Sequence, residues 1–404
     1  MKLIKKDLFF FTRSYPYGNG EAFIENELNF LAPFFETIYL FHKSKTESKR
    51  KVPSNVKLIY IEPPTNKSKK YAFKKNSFLF LTLVWNEFLF SRQKKMFINN
   101  LKYNLSHILN CIYYSNEIKT RVENQPVNNS YFYSYWFFDW NFSLSILKSK
   151  RVIKKNYTRA HRFDLYEETE KSNYLPLRRF CLKNTDKVFA ISRMGENYLK
   201  SIYPKFKNKL FCSYLGTKDF GVNPKSVVSS PIHIVSCSNV NQVKRVHLII
   251  ETLGHIKIPA KWTHIGDGAL LQKIKISAEK LPNNIITEFK GSLSQIELFN
   301  FYKNEPIDIF INCSASEGIP VSIMEAISFG IPVIATNVGG TCEIVNKETG
   351  FLIEKDFNAM ELAREITNLK KSESYIQLRT MAREYWKEHF FSDTNYSSFL
   401  SHFN

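Results

Sequence analysis

From Ile232 onward the chain alternates short apolar runs of β character with stretches of helical spacing, at a fairly regular interval. Strands are expected at Ile232–Cys237, Trp262–Ile265, Ile285–Phe289, Ile307–Ile311, Val333–Ala335 and Phe351–Ile353. Between them, 246–253, 270–279, 295–302, 321–329 and 359–369 place apolar residues at helical intervals. Strand and helix in strict alternation fold as a parallel sheet covered by helices, a Rossmann-type domain. Such sheets bind ligands at the carboxyl ends of their strands, so the loops after these strands are where chemistry is expected.

The preceding half opens in the same way, less regularly. A strand at Leu8–Thr12 runs into a turn with Pro16, Gly18 and Gly20, then a helix around Ala22–Leu31 and a strand at Thr37–Phe41. Later strands are expected at Val56–Ile61, Tyr131–Tyr135 and Lys187–Ile191. A chain of 404 residues exceeds one ordinary core, so two domains are expected. The small polar residues and Pro224 between Gly221 and Pro231 mark the linker, giving domains of 1–224 and 225–385.

Charge divides along the same line. Residues 1–230 hold 40 Lys and Arg against 18 Asp and Glu, whereas residues 231–404 hold 17 against 19. The excess cation of the first half suits an anionic membrane surface or a phosphorylated acceptor. The basic segments contain no recognised nucleic-acid module, and charge alone gives only nonspecific affinity, so no nucleic-acid partner is expected. The aromatic run Phe78–Phe90 is too short to span a bilayer, but lysines on either side give it the look of an interfacial helix. A helix packed on the domain core is the other reading. No secretory leader opens the sequence, so the chain is expected in the cytoplasm, peripheral on the inner face of the plasma membrane. The six cysteines are scattered without metal-ligand spacing and read as free thiols; no metal site is expected.

The most informative segment is SASEGIPVSIMEAISFGIPVIATNVGG, residues 314–340. It reads as strand, loop, helix, strand and loop. Pro320 suits the first turn of a helix, and Gly330 with Pro332 stops it. The amides around Gly318, Ile319, Pro320, Val321 and Ser322 then form an open helix start facing the sheet's carboxyl edge, a site for a diphosphate. Glu317 lies just before this helix and Glu325 about two turns into it. Two carboxylates so placed suit the vicinal hydroxyls of a nucleotide sugar, Glu325 on the ribose and Glu317 on the hexose.

The segment resembles the donor-site signature of family 4 glycosyltransferases of the GT-B fold. The resemblance extends through VSCSNVNQVKRVHLIIETL, THIGDG, FKGSLSQIELFNFY and the GGTCEIV to GFLI stretch. It implies an α/β protein with two Rossmann-like domains facing each other across a cleft, and a retaining, metal-independent transfer of a hexose-like sugar. The donor would be a UDP- or GDP-type sugar, with no further cofactor, and the acceptor a glycan or lipid-linked glycan of cell-surface polysaccharide synthesis. Lys244 matches the family's diphosphate-binding lysine. The family's arginine, five or six residues earlier, is replaced by Ser238 and Asn239; Asn239 and Arg245 are expected beside the diphosphate, with Arg245 compensating. The run Arg159-Ala-His161-Arg-Phe-Asp164 resembles the family's histidine motif, which would bring His161 to the reacting centre. Gly18 and Gly20 match a glycine-rich loop approaching the diphosphate, and Tyr133, Tyr135, Trp136 and Asp139 are similar in place to acceptor-side residues. Met381–Phe390 looks like the helix that crosses back, so 386–404 is expected on the first domain. Two alternatives share the fold: a nucleotide-sugar epimerase, and a degenerate scaffold without activity.

Overall fold

The computed structural model describes residues 6–18, 21, 23–46, 49–169, 174–224, 231–369 and 374–403. Gly20 lies outside the described residues. The chain divides into two units, Met1–Tyr214 with Tyr396–Asn404, and Leu215–Asn395. Both boundaries lie about ten residues from the expected ones, for a local reason: residues near 215 pair with residues just before 396. Thr217 bridges Phe391, Trp386 Nε1 donates to Thr217 Oγ1 at 2.7 Å, and Asn395 Nδ2 donates to the Leu215 carbonyl at 2.9 Å.

Unit 1 is built on β1 (Leu8–Phe11), β2 (Ile38–His42), β3 (Val56–Tyr60), β4 (Tyr131–Ser134), β5 (Asn156–Ala160), β6 (Lys187–Ala190) and β7 (Leu210–Cys212). They form one parallel sheet in the order β3-β2-β1-β4-β5-β6-β7. β5 and β7 were not among the expected strands. β5 reads NYTRA, a polar sequence with all five residues buried. Its Arg159 forms an ion pair with Glu27 at 3.0 Å, both side chains fully buried, and its Nε donates to Tyr133 Oη at 2.9 Å.

Unit 2 contains β8 (Ile232–Cys237), β9 (Ala260–Ile265), β10 (Ile285–Phe289), β11 (Ile309–Asn312), β12 (Val333–Thr336) and β13 (Gly350–Ile353). The sheet is again wholly parallel, in the order β10-β9-β8-β11-β12-β13. All six strands expected here are present. β8, β11 and β12 are buried along almost their whole length, as strands covered on both faces are, and β9 and β10 add the partly exposed Lys261 and Glu288.

The helix Tyr375–His389, which includes most of the Met381–Phe390 segment expected to cross back, belongs to unit 2. Arg379 holds it there, donating from Nη1 to the Ile307 carbonyl at 2.7 Å and from Nη2 to Asn223 Oδ1 at 2.8 Å. Only Tyr396 onward joins unit 1, where Phe399, Leu400 and Phe403 lie in one core with Tyr133, Tyr157 and Phe189. In each sheet the strand order reverses once, between β1 and β4 in unit 1 and between β8 and β11 in unit 2. Loops diverge at such a reversal and leave a crevice outside the strand ends.

Candidate active site

In unit 2 the loops after β8 and β11 meet at this reversal. Lys244 follows β8, in a turn where its amide donates to Asn241 Oδ1 at 3.1 Å. Glu317 follows β11. Lys244 Nζ and Glu317 Oε1 form an ion pair at 2.6 Å, with side chains 24% and 10% exposed. Asn312, the last residue of β11, donates from Nδ2 to the same carboxylate oxygen at 3.3 Å and accepts the Ser314 amide at 2.9 Å. The Ala315 amide donates to the Val243 carbonyl at 2.7 Å, so the two loops are tied together. Gly339 and Gly340 brace the far side, the Gly340 amide donating to the Gly318 carbonyl at 2.8 Å. Gly339 has φ +53°, and a Cβ there would stand 1.9 Å from the Glu317 carbonyl oxygen, so only glycine allows this approach. Asn312 and this glycine pair position Glu317. Sequence reading missed Asn312 because a terminal strand Asn carries no spacing signal of its own.

The helix Val321–Ser328 begins beside Glu317. Pro320 is its N-cap, with φ −77° and ψ 107°, one place ahead of the expected first turn, and no side chain caps it. The Ile323 and Met324 amides return to the Pro320 carbonyl at 3.1 and 3.3 Å. The Val321 and Ser322 amides precede these bonds and lie on half-buried residues. Pro320 has no N–H and Ile319 is buried, while the Gly340 bond engages only the Gly318 carbonyl, so anion-binding capacity falls to the Gly318, Val321 and Ser322 amides.

Glu325 is also buried, and it stands with Gln295, Cys237 and Tyr302 rather than with Lys244. Burial pushes its carboxyl up to about 7, against a hydrogen bond with Gln295 that pulls it down. Cys237, which ends β8, feels both the Glu325 and the Lys244 charges. Glu325 and Lys244, the partner of Glu317, therefore both lie near the end of β8.

Arg245, expected beside the diphosphate, has φ +47°, and its guanidinium donates to the Cys313 carbonyl through Nε and to the Lys355 carbonyl through Nη2, each at 2.8 Å, with Nη1 3.8 Å from the exposed Asp356. Arg245 thus clamps the end of β11 to the loop after β13. Asn239 is exposed, and its Oδ1 accepts from Asn241 Nδ2 at 3.3 Å.

In unit 1 the loop after β1 is closed by Glu21, which sequence reading passed over. Its carboxylate accepts the Arg13, Ser14 and Tyr15 amides at 3.1, 2.6 and 2.6 Å, and the Trp136 indole N–H from beyond β4. Gly18 in that loop has φ +66° and open space where a Cβ would be. His161 follows β5. Its imidazole is buried against Trp136 and Tyr135, with ring centroids at 4.3 and 4.8 Å, and neither ring nitrogen has a hydrogen-bond partner among the described residues. Burial, then the nearby Arg159 charge, holds its pKa well below 6.5, so the ring is neutral. The His161 and Phe137 amides donate to Asp164 at 2.5 and 2.6 Å, which fixes this loop. Two residues expected on the acceptor side are structural. Tyr133 donates to Glu27 at 2.6 Å inside the core, and Asp139 pairs with Lys43.

Known proteins share this fold. Residues 218–389 match the family model described as glycosyl transferases group 1. Among curated proteins, the chain is similar to a putative colanic acid biosynthesis glycosyltransferase, WcaL of Escherichia coli K12. The two are 25% identical over 228 residues, which is 53% of this chain and 55% of that protein. The match thus spans about half the length of that relative. Among solved structures, the lipopolysaccharide outer core galactosyltransferase WaaB in its apo form superposes with TM-score 0.68 at 13% identity, covering 98% of each chain. Anabaena HepE in complex with UDP and glucose superposes with TM-score 0.65 at 14% identity, covering 98% of this chain and 99% of that one. At these identities the likeness to solved structures shows the fold, which is GT-B. Through residues 218–389, the chain is similar to glycosyl transferases group 1.

Proposed function

We propose that the chain is a retaining glycosyltransferase that moves a hexose-like sugar from a nucleotide diphosphate sugar of UDP or GDP type to a glycan or lipid-linked acceptor. The product would belong to cell-surface polysaccharide, a reading supported by the likeness to WcaL of colanic acid biosynthesis and WaaB of the lipopolysaccharide outer core. The observation that carries the reading is the Lys244–Glu317 pair at the β8/β11 reversal, beside the uncapped start of the helix Val321–Ser328. Lys244 and the Val321 and Ser322 amides meet the charge that grows on the leaving diphosphate as the anomeric C–O bond breaks. Glu317 grips the hexose and Glu325 the ribose. The acceptor hydroxyl attacks the face the phosphate leaves, and its proton passes to that phosphate, so the anomeric configuration is kept. A neutral His161, with two unengaged nitrogens, suits a hydrogen bond to the sugar rather than a charge contact. Charge neutralisation is assigned to the protein rather than to a metal ion, and turnover is expected to survive chelator. The chain is placed peripherally on the inner face of the plasma membrane, where lipid-linked acceptors are assembled.

Hydrolysis of donor sugars in the absence of acceptor tests the assignment. Lys244→Ala and Glu317→Gln are expected to lower nucleotide release by roughly 10²- to 10³-fold with unchanged melting temperature. Release that is equal in wild type and variants refutes it. The engagement of Arg245 by two carbonyls favours one other reading, a scaffold without activity. That reading requires no nucleotide release from any donor.

A further inference from the structure

The helix Ser77–Phe90 reads SFLFLTLVWNEFLF and carries one ionisable residue, Glu87. One face is packed: Phe80, Leu83 and Glu87 are buried, the first two in a core cluster with Ile108, Cys111 and Ile112. Glu87 turns inward, accepting the Leu177 amide at 3.0 Å. The opposite face carries Phe78, Leu81, Trp85, Phe88 and Leu89, exposed by 84, 60, 61, 41 and 40%. At 3.6 residues per turn these five fall within an arc of roughly 100°. A helix apolar all round requires cover on both faces, and this chain covers one. Of the 21 large hydrophobic side chains exposed among the described residues, 11 lie between Tyr71 and Tyr103, so the patch is a local feature of this segment.

Charge identifies the cover. Residues 65–103 hold nine Lys and Arg and a single carboxylate, the inward Glu87. Lys67, Lys70, Lys74 and Lys75 precede the apolar face, Arg92, Lys94 and Lys95 follow it, and all seven are exposed. A second copy of the chain would set this cationic collar against itself, whereas an anionic bilayer complements both collar and apolar face. The helix has 14 residues, about 21 Å, too short to cross the hydrocarbon layer and suited to lying in its plane.

We propose that the outward face of Ser77–Phe90 is the membrane-docking surface, seated at the headgroup boundary of an anionic bilayer with the flanking lysines on lipid phosphates. The proposal deepens, and rests on, the peripheral membrane position of the functional reading. It is tested with the full chain and phosphatidylcholine vesicles with or without phosphatidylglycerol. Of the five tryptophans only Trp85 is exposed, the other four being 8% exposed or less, so its emission reports the contact. Anionic vesicles are expected to shift that emission to the blue and to co-sediment the protein, and neutral vesicles to do neither. A variant combining Phe78→Ser, Leu81→Ser and Trp85→Ser is expected to co-sediment roughly tenfold more weakly with an unchanged melting temperature. One combining Lys70→Gln, Lys74→Gln and Lys75→Gln is expected to weaken only the anionic binding. Wild-type chain that ignores anionic vesicles, a triple-serine variant that binds as well, or a wild-type dimer that the triple-serine variant dissolves overturns the proposal. Donor hydrolysis without vesicles, expected to be equal in both proteins, separates the two readings. Hydrolysis without docking overturns this surface alone, and docking without hydrolysis overturns the enzymatic assignment alone.

Discussion

Glu325 shows how one carboxyl is set by its surroundings. Its burial raises the pKa from an ordinary 4.5 to about 7, so folding takes up a proton across that interval. Stability is therefore fullest below about pH 4.5 and falls as pH rises through 7, leaving a cost of about 3 kcal/mol above it. Glu325→Gln removes that cost. Its melting temperature is expected to match wild type near pH 4.5 and to exceed it at pH 8; a constant difference across the range would contradict the buried-acid account. In the opposite sense, hydroxyls of a ribose donate to the ionised form, so nucleotide binding is expected to tighten as pH rises through 7. At this scale the sequence indicated which carboxylates matter, through the spacing of Glu317 and Glu325. Their different states were not legible there: Glu317 meets a lysine from the loop after β8, while Glu325 meets Gln295 at the start of the helix Gln295–Asn304.

At the scale of elements, the site depends on glycines that let one loop rest on another. Gly339→Ala places a Cβ 1.9 Å from the Glu317 carbonyl in a backbone region hostile to side chains. It is expected to cost on the order of 1–3 kcal/mol and to lower donor turnover well beyond the stability loss, because the Glu317 loop must shift. Turnover and melting temperature equal to wild type would show that the brace is unnecessary. Strands β8, β11 and β12 were legible because they are buried along almost their whole length, whereas β9 and β10 mix Lys261 and Glu288 with apolar residues and were legible from their regular spacing. β5 was not, since Asn156, Thr158 and Arg159 find hydrogen-bond partners within the core, such as Asn184, Ser134 and Ser213, that periodicity cannot reveal. The helix Ser77–Phe90 was legible as a helix, but only coordinates separate its packed face from its bare one.

At the scale of the whole chain, each unit has its own doubly wound sheet, and the division is not a single cut. Tyr396, Phe399, Leu400 and Phe403 are at most 3% exposed and belong to unit 1, far from it in sequence. Burial of such side chains contributes about 1.5–3 kcal/mol each, so deleting residues 396–404 is expected to abolish cooperative unfolding of unit 1 while unit 2 still melts. Retention of both transitions would contradict this assignment of the tail. The short distance between the expected and observed boundaries reflects the pairing of Thr217 with Phe391, a contact between remote positions that composition does not register. The central claim is that Lys244, Glu317 and an open helix start hold the diphosphate and sugar of a nucleotide donor. Titration calorimetry with UDP- and GDP-sugars on wild type and Lys244→Ala tests it most directly. Saturable binding of at least one donor, weakened roughly tenfold or more by the substitution, is the predicted result; no binding of any donor, or equal affinity in the two proteins, would contradict it.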